Sequence, residues 1–329
     1  MIIWGKEKTS VREVSMKNKT LLWLIPLILL LLLIPLAVPS ALPAAGAEDL
    51  PLWETVELAN PHPDPVPLDE KPPFAPDEAG WLPDEQGYVD GTIAVRLEKR
   101  VVNNTKVYIT FVQIADPSQL RTASYKPYPQ QAEIRATKLA SREKAVVALN
   151  ADWFVSNGGF GIIYRNGKLL RDGKRFSTFD AMIIDTNGDF HLFQNPSPED
   201  FEPWQGKIMH SFCFGPALVK DGVLLPQTDQ NLGRGLLKKA QRQALCQMGP
   251  LQYLIVTCEG PEQSEGGGLT NAEMAQLCYD LGAQEAYNMD GGSSTWLVLN
   301  GQKINARMTV RPITDIVYFI TAEPPAAEN

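Results

Sequence analysis

Four two-residue turn signals constrain this chain more than any other feature: Asn166-Gly167, Asn187-Gly188, Asp221-Gly222 and Asn300-Gly301. Each lies between apolar runs. Asn-Gly and Asp-Gly favour turns whose two central residues take positive φ, and such turns match the twist of paired antiparallel strands. The signals therefore predict hairpins. β-Branched and aromatic runs at 92–97 and 106–114, with short buried runs at 145–149, 253–258 and 285–289, supply further strands. One helix is well marked, because Thr270 and Glu273 have capping-box spacing and Gly282 offers a stop. Met274, Leu277, Cys278 and Leu281 fall on one apolar face of it. A weaker helical pattern covers 131–141. The fold class is α+β: a single β-rich domain with hairpins and a few inserted helices.

The ends read differently. Arg12, Lys17 and Lys19 precede an apolar run at 21–38, and Ala45-Gly46-Ala47 follows with the small-x-small pattern of a signal peptidase site. Residues 1–47 are thus a signal peptide or a signal-anchor, since about 18 apolar residues can just span a bilayer. Pro26, Pro35 and Pro39 work against a straight spanning helix. In either case the domain is secreted or extracytoplasmic, and an uncleaved segment at 20–38 would tether it to the membrane. Residues 48–87 are rich in Pro, Asp and Glu and read as an extended linker. The globular domain then runs over 88–323, with a tail at 324–329.

The net charge of −8 gives nucleic-acid binding no support, and an anionic substrate would need its own Arg or Lys cluster. Cys213, Cys246, Cys258 and Cys278 allow three disulfide pairings, and buried free thiols fit equally well. With three His and no CxxC pair, a structural zinc site has no ligand pattern. Asp185 to Asp189 resembles the start of a calcium loop, but the later bidentate carboxylate is missing and a hairpin explains the segment. No cofactor is expected. A divalent cation such as calcium suits the compartment but lacks a complete ligand set. His191 and His210 have no Ser or Cys elbow beside them and read as structural, and His62 lies in the linker and reads as inert.

The chemistry concentrates near the C-terminus. The strand at 253–258 leads to Glu259-Gly260 and a loop holding Glu265-Gly266-Gly267-Gly268. The strand at 285–289 ends at Asp290-Gly291-Gly292-Ser293-Ser294. A carboxylate at a strand end, followed by two glycines and two hydroxyls, sets a charge beside backbone that a ligand can approach closely.

Tyr287-Asn-Met-Asp290-Gly-Gly-Ser-Ser294, Asn300-Gly301 and Arg311-Pro-Ile-Thr-Asp-Ile316 resemble the C-terminal signature of the phosphodiester glycosidase family. Other segments are similar to that family in the same order. They are Ala148-Leu-Asn150-Ala-Asp152-Trp-Phe154, Phe214-Gly215-Pro216 with Asp221-Gly222, Arg242-Gln-Ala244, and Glu265-Gly266 with Leu269-Thr270. The resemblance spans about 88–321. Ala151 replaces a usual Gly, Gln243 a usual Thr, and Glu259-Gly260-Pro261 stands where Asp-Gly-Arg is common.

The resemblance implies hydrolysis of a sugar-1-phosphodiester in a glycan or sugar-phosphate substrate. Arg242 and Arg311 are the candidates to hold phosphate, because a guanidinium fork matches its oxygens. Asp290 is the first choice for the carboxylate that stabilises oxocarbenium character at the sugar carbon, with Asp152, Glu259 and Glu265 as partners. Asn150 and Asn288 could hydrogen-bond sugar hydroxyls, and Gly291, Gly292, Ser293 and Ser294 would line the site. Two rival readings stand beside this one. The first is a hydrolase or transferase of ordinary glycosidic bonds on the same fold. The second is a non-catalytic carbohydrate-binding or envelope-assembly module.

Overall fold

The computed structural model describes residues 56–130, 132–155, 158–173, 176, 180–227, 234–261, 267–305 and 311–324. The segment at 1–47, Glu265 and Gly266 lie outside them. Among the described residues no helix is long and apolar enough to cross a membrane.

An eight-stranded antiparallel sheet runs in the order Gly87–Val89, Ile93–Val102, Thr105–Ile114, Gln252–Cys258, Arg242–Gly249, Glu285–Asn288, Ala217–Lys220 and Val223–Leu224. A five-stranded antiparallel sheet is ordered Gln302–Lys303, Leu297–Leu299, Val147–Asn150, Asp315–Phe319 and Leu120–Ser124. Smaller sheets join Ile208–Cys213, Ala181–Asp185 and Phe190–Phe193, and pair Ile162–Arg165 with Lys168–Asp172. The class is α+β and β-rich, as the turn signals imply.

Strand periodicity builds the layers. In Thr105–Ile114, Tyr108, Val112 and Ile114 face the main core, whose other wall comes from the five-stranded sheet through Val147, Leu149, Val317 and Phe319. Val107, Ile109 and Phe111 face the opposite side and share a core there with Met274, Leu277 and Cys278 of helix Asn271–Asp280. Helix Ala136–Arg142 covers the outer face of the five-stranded sheet through Leu139 and Ala140. The result is a helix–sheet–sheet–helix arrangement, in which central strands such as Thr105–Ile114 alternate between two buried faces.

The local signals act as chemistry dictates. Asn166, Asp221 and Asn300 take φ near 50°, each followed by a glycine at positive φ, and all four predicted turns close hairpins. Thr270 caps helix Asn271–Asp280, and Glu273 completes the capping box. The Asp185 carboxylate accepts from the backbone N–H of Asn187 (2.8 Å) and Asp189 (3.1 Å), which makes this segment a turn. The weaker helical pattern at 131–141 becomes Ala136–Arg142, shifted toward its C-terminal half. The Asn103-Asn104 hairpin turn, with both residues at positive φ, carries no glycine and escapes the sequence pattern.

One expectation changes. Residues 56–86 are not a free spacer: Leu58 and Val66 are buried, and Arg121 donates to the carbonyls of Val66, Pro67, Leu68 and Glu70. A Pro-rich extended segment keeps its carbonyls out of any helix or sheet. Those acceptors satisfy a guanidinium that the domain buries. The four cysteines are free and buried, and Cys246 of the large sheet shares a core with Cys278 of helix Asn271–Asp280.

Candidate active site

The two large sheets come together at one end, where the strand ends of Val147–Asn150 and Glu285–Asn288 run side by side. Asn150 joins them. Its side-chain amide donates to the Asp290 carbonyl (2.7 Å), and its oxygen accepts the Trp296 N–H (2.8 Å). The Asp290 N–H returns to the Ala151 carbonyl (3.3 Å). Asn150 is almost fully buried, so its role in this geometry is to place Asp290.

The glycines after Asp290 serve the same turn. A Cβ on Gly291 would sit 2.8 Å from the Gln241 carbonyl oxygen, and Gly292 has a φ of 57°. Only glycine fits both requirements cheaply. The turn presents Asp290 toward Arg311, whose guanidinium lies 3.1 Å from the carboxylate and also donates to the Ser294 hydroxyl. Ser293 holds the Arg311 backbone through its carbonyl (2.9 Å). Burial pushes the Asp290 carboxyl above its ordinary range, while Ser294, Arg311 and the Gly291 N–H pull it back down.

A pocket opens between these elements, lined by Glu133, Asn150, Ala151, Trp153, Asp290, Arg311, Pro312, Ile313, Thr314 and Asp315. Trp153 stands at its edge with 38 % of its surface exposed and a left-handed backbone, φ 58°. Arg311 lies 6.0 Å from the centre of the Trp153 ring. A bulky side chain in that backbone region is strained, and such strain concentrates at binding sites.

Asp152 is placed differently. It is fully buried, 2.5 Å from the Arg165 guanidinium, and it accepts the Cys213 N–H (3.3 Å). Arg165 is sandwiched between the rings of Phe154 and Phe212 at 4.5 and 4.4 Å, and it also lies 3.5 Å from Asp315. Burial raises the Asp315 carboxyl to about 7, against the pull of Arg165 and with help from Asp152.

Arg242, Glu259 and Asn288 do not line this pocket. The Arg242 guanidinium donates to the carbonyls of Leu269, Gly235, Leu236 and Lys238 at 2.6–3.1 Å, closing the short helix Arg234–Leu237 against the large sheet. Glu259 is fully buried and accepts from the Tyr108 hydroxyl (2.9 Å). Asn288 donates to the Gly215 carbonyl (2.9 Å) while its own oxygen is buried with no hydrogen bond among the described residues. Glu265 lies outside the described residues. Gly268 is required by close packing, since a Cβ there would meet the Ala240 backbone at 2.7–2.9 Å. Among the described residues no three His, Cys, Asp or Glu side chains cluster so as to hold a metal ion.

The structure thus brings together Asn150, Asp290, Ser294 and Arg311, and adds Trp153, Arg165 and Asp315. Trp153 and Asp315 lie inside family-like segments, so their positions were available in the sequence. Arg165 precedes a hairpin turn and carries no local sign of its role.

The chain is 28 % identical over 212 residues to the SPbeta prophage-derived protein YomE of Bacillus subtilis, covering 63 % of the chain and 31 % of that relative. The chain therefore spans about a third of the length of that relative. Its fold matches the catalytic domain of zebrafish N-acetylglucosamine-1-phosphodiester α-N-acetylglucosaminidase, solved in a form auto-inhibited by its propeptide. That match has a TM-score of 0.57 and 16 % identity, over 84 % of this chain and 99 % of the zebrafish one. A hypothetical protein from Synechocystis matches with a TM-score of 0.51 and 16 % identity, over 70 % of this chain and 63 % of its own. The phosphodiester glycosidase family profile covers residues 143–320, more than half of the sequence, and the chain belongs to that family.

Proposed function

We propose that this pocket hydrolyses a sugar-1-phosphodiester, releasing the sugar and leaving a phosphomonoester. The Asp290–Arg311 pair at its mouth carries the reading, because it offers one anion and one cation to a substrate that develops both charges. Breaking the bond at the sugar carbon builds positive charge there, which a carboxylate stabilises, while the departing phosphate keeps its negative charge. Asp290 serves the sugar carbon. Arg311 serves the phosphate, with guanidinium N–H groups beyond those that hold Asp290 and Ser294. The exposed face of Trp153 suits the apolar face of a sugar ring. Arg242 holds the carbonyls of the loop beneath the site, and the phosphate role falls to Arg311. We further read 1–47 as the segment that exports the domain, so that its substrate is a glycan of the envelope or the extracellular space.

The test is release of free sugar from a panel of sugar-1-phosphodiesters by the full chain and by Asp290→Asn. Turnover that is lost in the variant supports the reading. Turnover of neutral glycosides that is indifferent to Arg311→Ala points to ordinary glycosidic bonds. Polymer binding by both proteins without turnover points to a binding module.

A further inference from the structure

Hydrolysis needs an acceptor for the proton of the attacking water as well as a group that steadies the sugar carbon. Among the described residues, Asp290, Asp315 and Glu133 supply the carboxyls that border the pocket. Asp290 faces Arg311, and in serving the sugar carbon it must keep its charge while the cation develops. Asp315 is sealed from solvent, with the Thr314 hydroxyl on one oxygen (2.8 Å) and Arg165 beneath the other. Glu133 differs from both. It is exposed, and its carboxylate enters no hydrogen bond or ion pair among the described residues.

The backbone fixes which way that carboxylate faces. Ile134 and Ile313 form an antiparallel bridge, each N–H donating to the other's carbonyl at 2.9 Å. Both side chains turn toward the core under helix Ala136–Arg142. Side chains alternate along paired extended segments, so Glu133 and its cross-bridge neighbour Thr314 turn the other way. Both line the pocket, and Ile134 does not. Ile313 follows Arg311 by two residues, so the bridge ties the wall carrying Glu133 to the wall carrying the guanidinium. The pocket has an empty volume of about 230 Å³. A sugar lying on Trp153 with its phosphate on Arg311 leaves Glu133 facing the water beside the sugar carbon.

We propose that Glu133 is the general base of the reaction, the carboxylate that works with Asp290. The proposal rests on the phosphodiester reading above. The bond between the sugar carbon and the phosphate oxygen breaks, and its electron pair leaves with the phosphate. The water oxygen bonds to the carbon and gives one proton to Glu133, which returns it to solvent. Phosphate departs without protonation, so a base suffices and no acid is needed opposite it.

The test uses the full chain with the methyl diesters of glucose-, N-acetylglucosamine- and mannose-1-phosphate, followed by steady-state kinetics on the one turned over fastest. Glu133→Ala should lower kcat about 100- to 10,000-fold, the range for a lost general base, with KM within a few-fold of wild type. Glu133→Gln keeps the shape, cannot take the proton, and should lose kcat to a similar extent. Because the side chain is exposed and unpaired among the described residues, both variants should keep the wild-type urea midpoint. Azide needs no base to attack, so it should restore turnover to Glu133→Ala and give the glycosyl azide, which a merely structural role would not do. Wild-type kcat in Glu133→Gln, or a loss in Glu133→Ala that azide leaves unrestored, overturns the role of Glu133 while the phosphodiester reading stands. Wild type that turns over none of the three diesters overturns both.

Discussion

Arg311 and Asp290 are separated by 21 residues in sequence, and their side chains meet at 3.1 Å at the mouth of the pocket. The pair is partly exposed, with the Arg311 side chain 41 % exposed and Asp290 20 %. An exposed ion pair contributes about 0–1 kcal/mol to folding, so its purpose lies in the pocket. Arg311→Ala should leave the urea midpoint nearly unchanged. Loss of one charged hydrogen bond of about 1.5–3 kcal/mol should lower kcat/KM for a phosphodiester roughly 10- to 100-fold. Arg311→Lys should recover only part, since an ammonium cannot hold Asp290 and a phosphate with one planar fork. Parallel denaturation and steady-state kinetics decide it.

Arg165 presents the opposite balance. It is buried between two rings with carboxyls on either side. Removing one partner of a buried pair costs about 3–5 kcal/mol, because the other charge is stranded. Arg165→Met should therefore destabilise the domain by that order in urea unfolding. Adding Asp152→Asn should restore part of the loss. An unchanged midpoint in Arg165→Met would show that the cluster is wetter than its burial implies.

Arg242 should behave as a structural residue. Arg242→Ala strands the carbonyls that it now satisfies, at about 1–3 kcal/mol for each that water cannot reach. Any activity loss should then fall equally on phosphodiester and neutral glycoside substrates. A loss confined to phosphodiesters would return the phosphate role to Arg242, as the sequence resemblance implies.

Two buried groups give stability opposite slopes with pH. Burial lowers His210 to about 3, aided by the nearby positive charge of Arg165 and Arg121. The unfolded chain takes up a proton near 6.5 that the native state refuses, so this stabilisation is present above 6.5 and lost as pH falls toward 3. Glu285 moves the other way. Burial first, then the charge of Asp221, raise it to about 7. The native state keeps a proton that the unfolded chain releases from about 4.3 upward, so this contribution is full below that pH and lost as pH rises to 7. Unfolding free energies measured from pH 4 to 8 should show His210→Gln removing the loss on acidification. Glu285→Gln should remove the loss on going toward neutral pH.

The sequence by itself determined the local geometry. Asn-Gly and Asp-Gly turns, the Thr270–Glu273 capping box and the apolar face of Met274, Leu277 and Cys278 act within a few residues, where backbone sterics and hydrogen bonding leave few choices. The β-rich α+β class followed from these elements, and the family resemblance from ordered motifs such as Tyr287-Asn-Met-Asp290-Gly-Gly-Ser-Ser294. The linker did not: a Pro-rich composition shows that a segment has no core of its own, not whether a buried Arg121 elsewhere needs its carbonyls. Arg242 and Arg311 look alike as residues, and only the packing around each shows that one guanidinium is consumed by a loop while the other faces a pocket. Tertiary structure alone brought Asp152, Arg165 and Asp315 together from three separate segments. Burial and charge sharing are properties of that assembly, because desolvation acts on the space around a side chain and not on its neighbours in sequence.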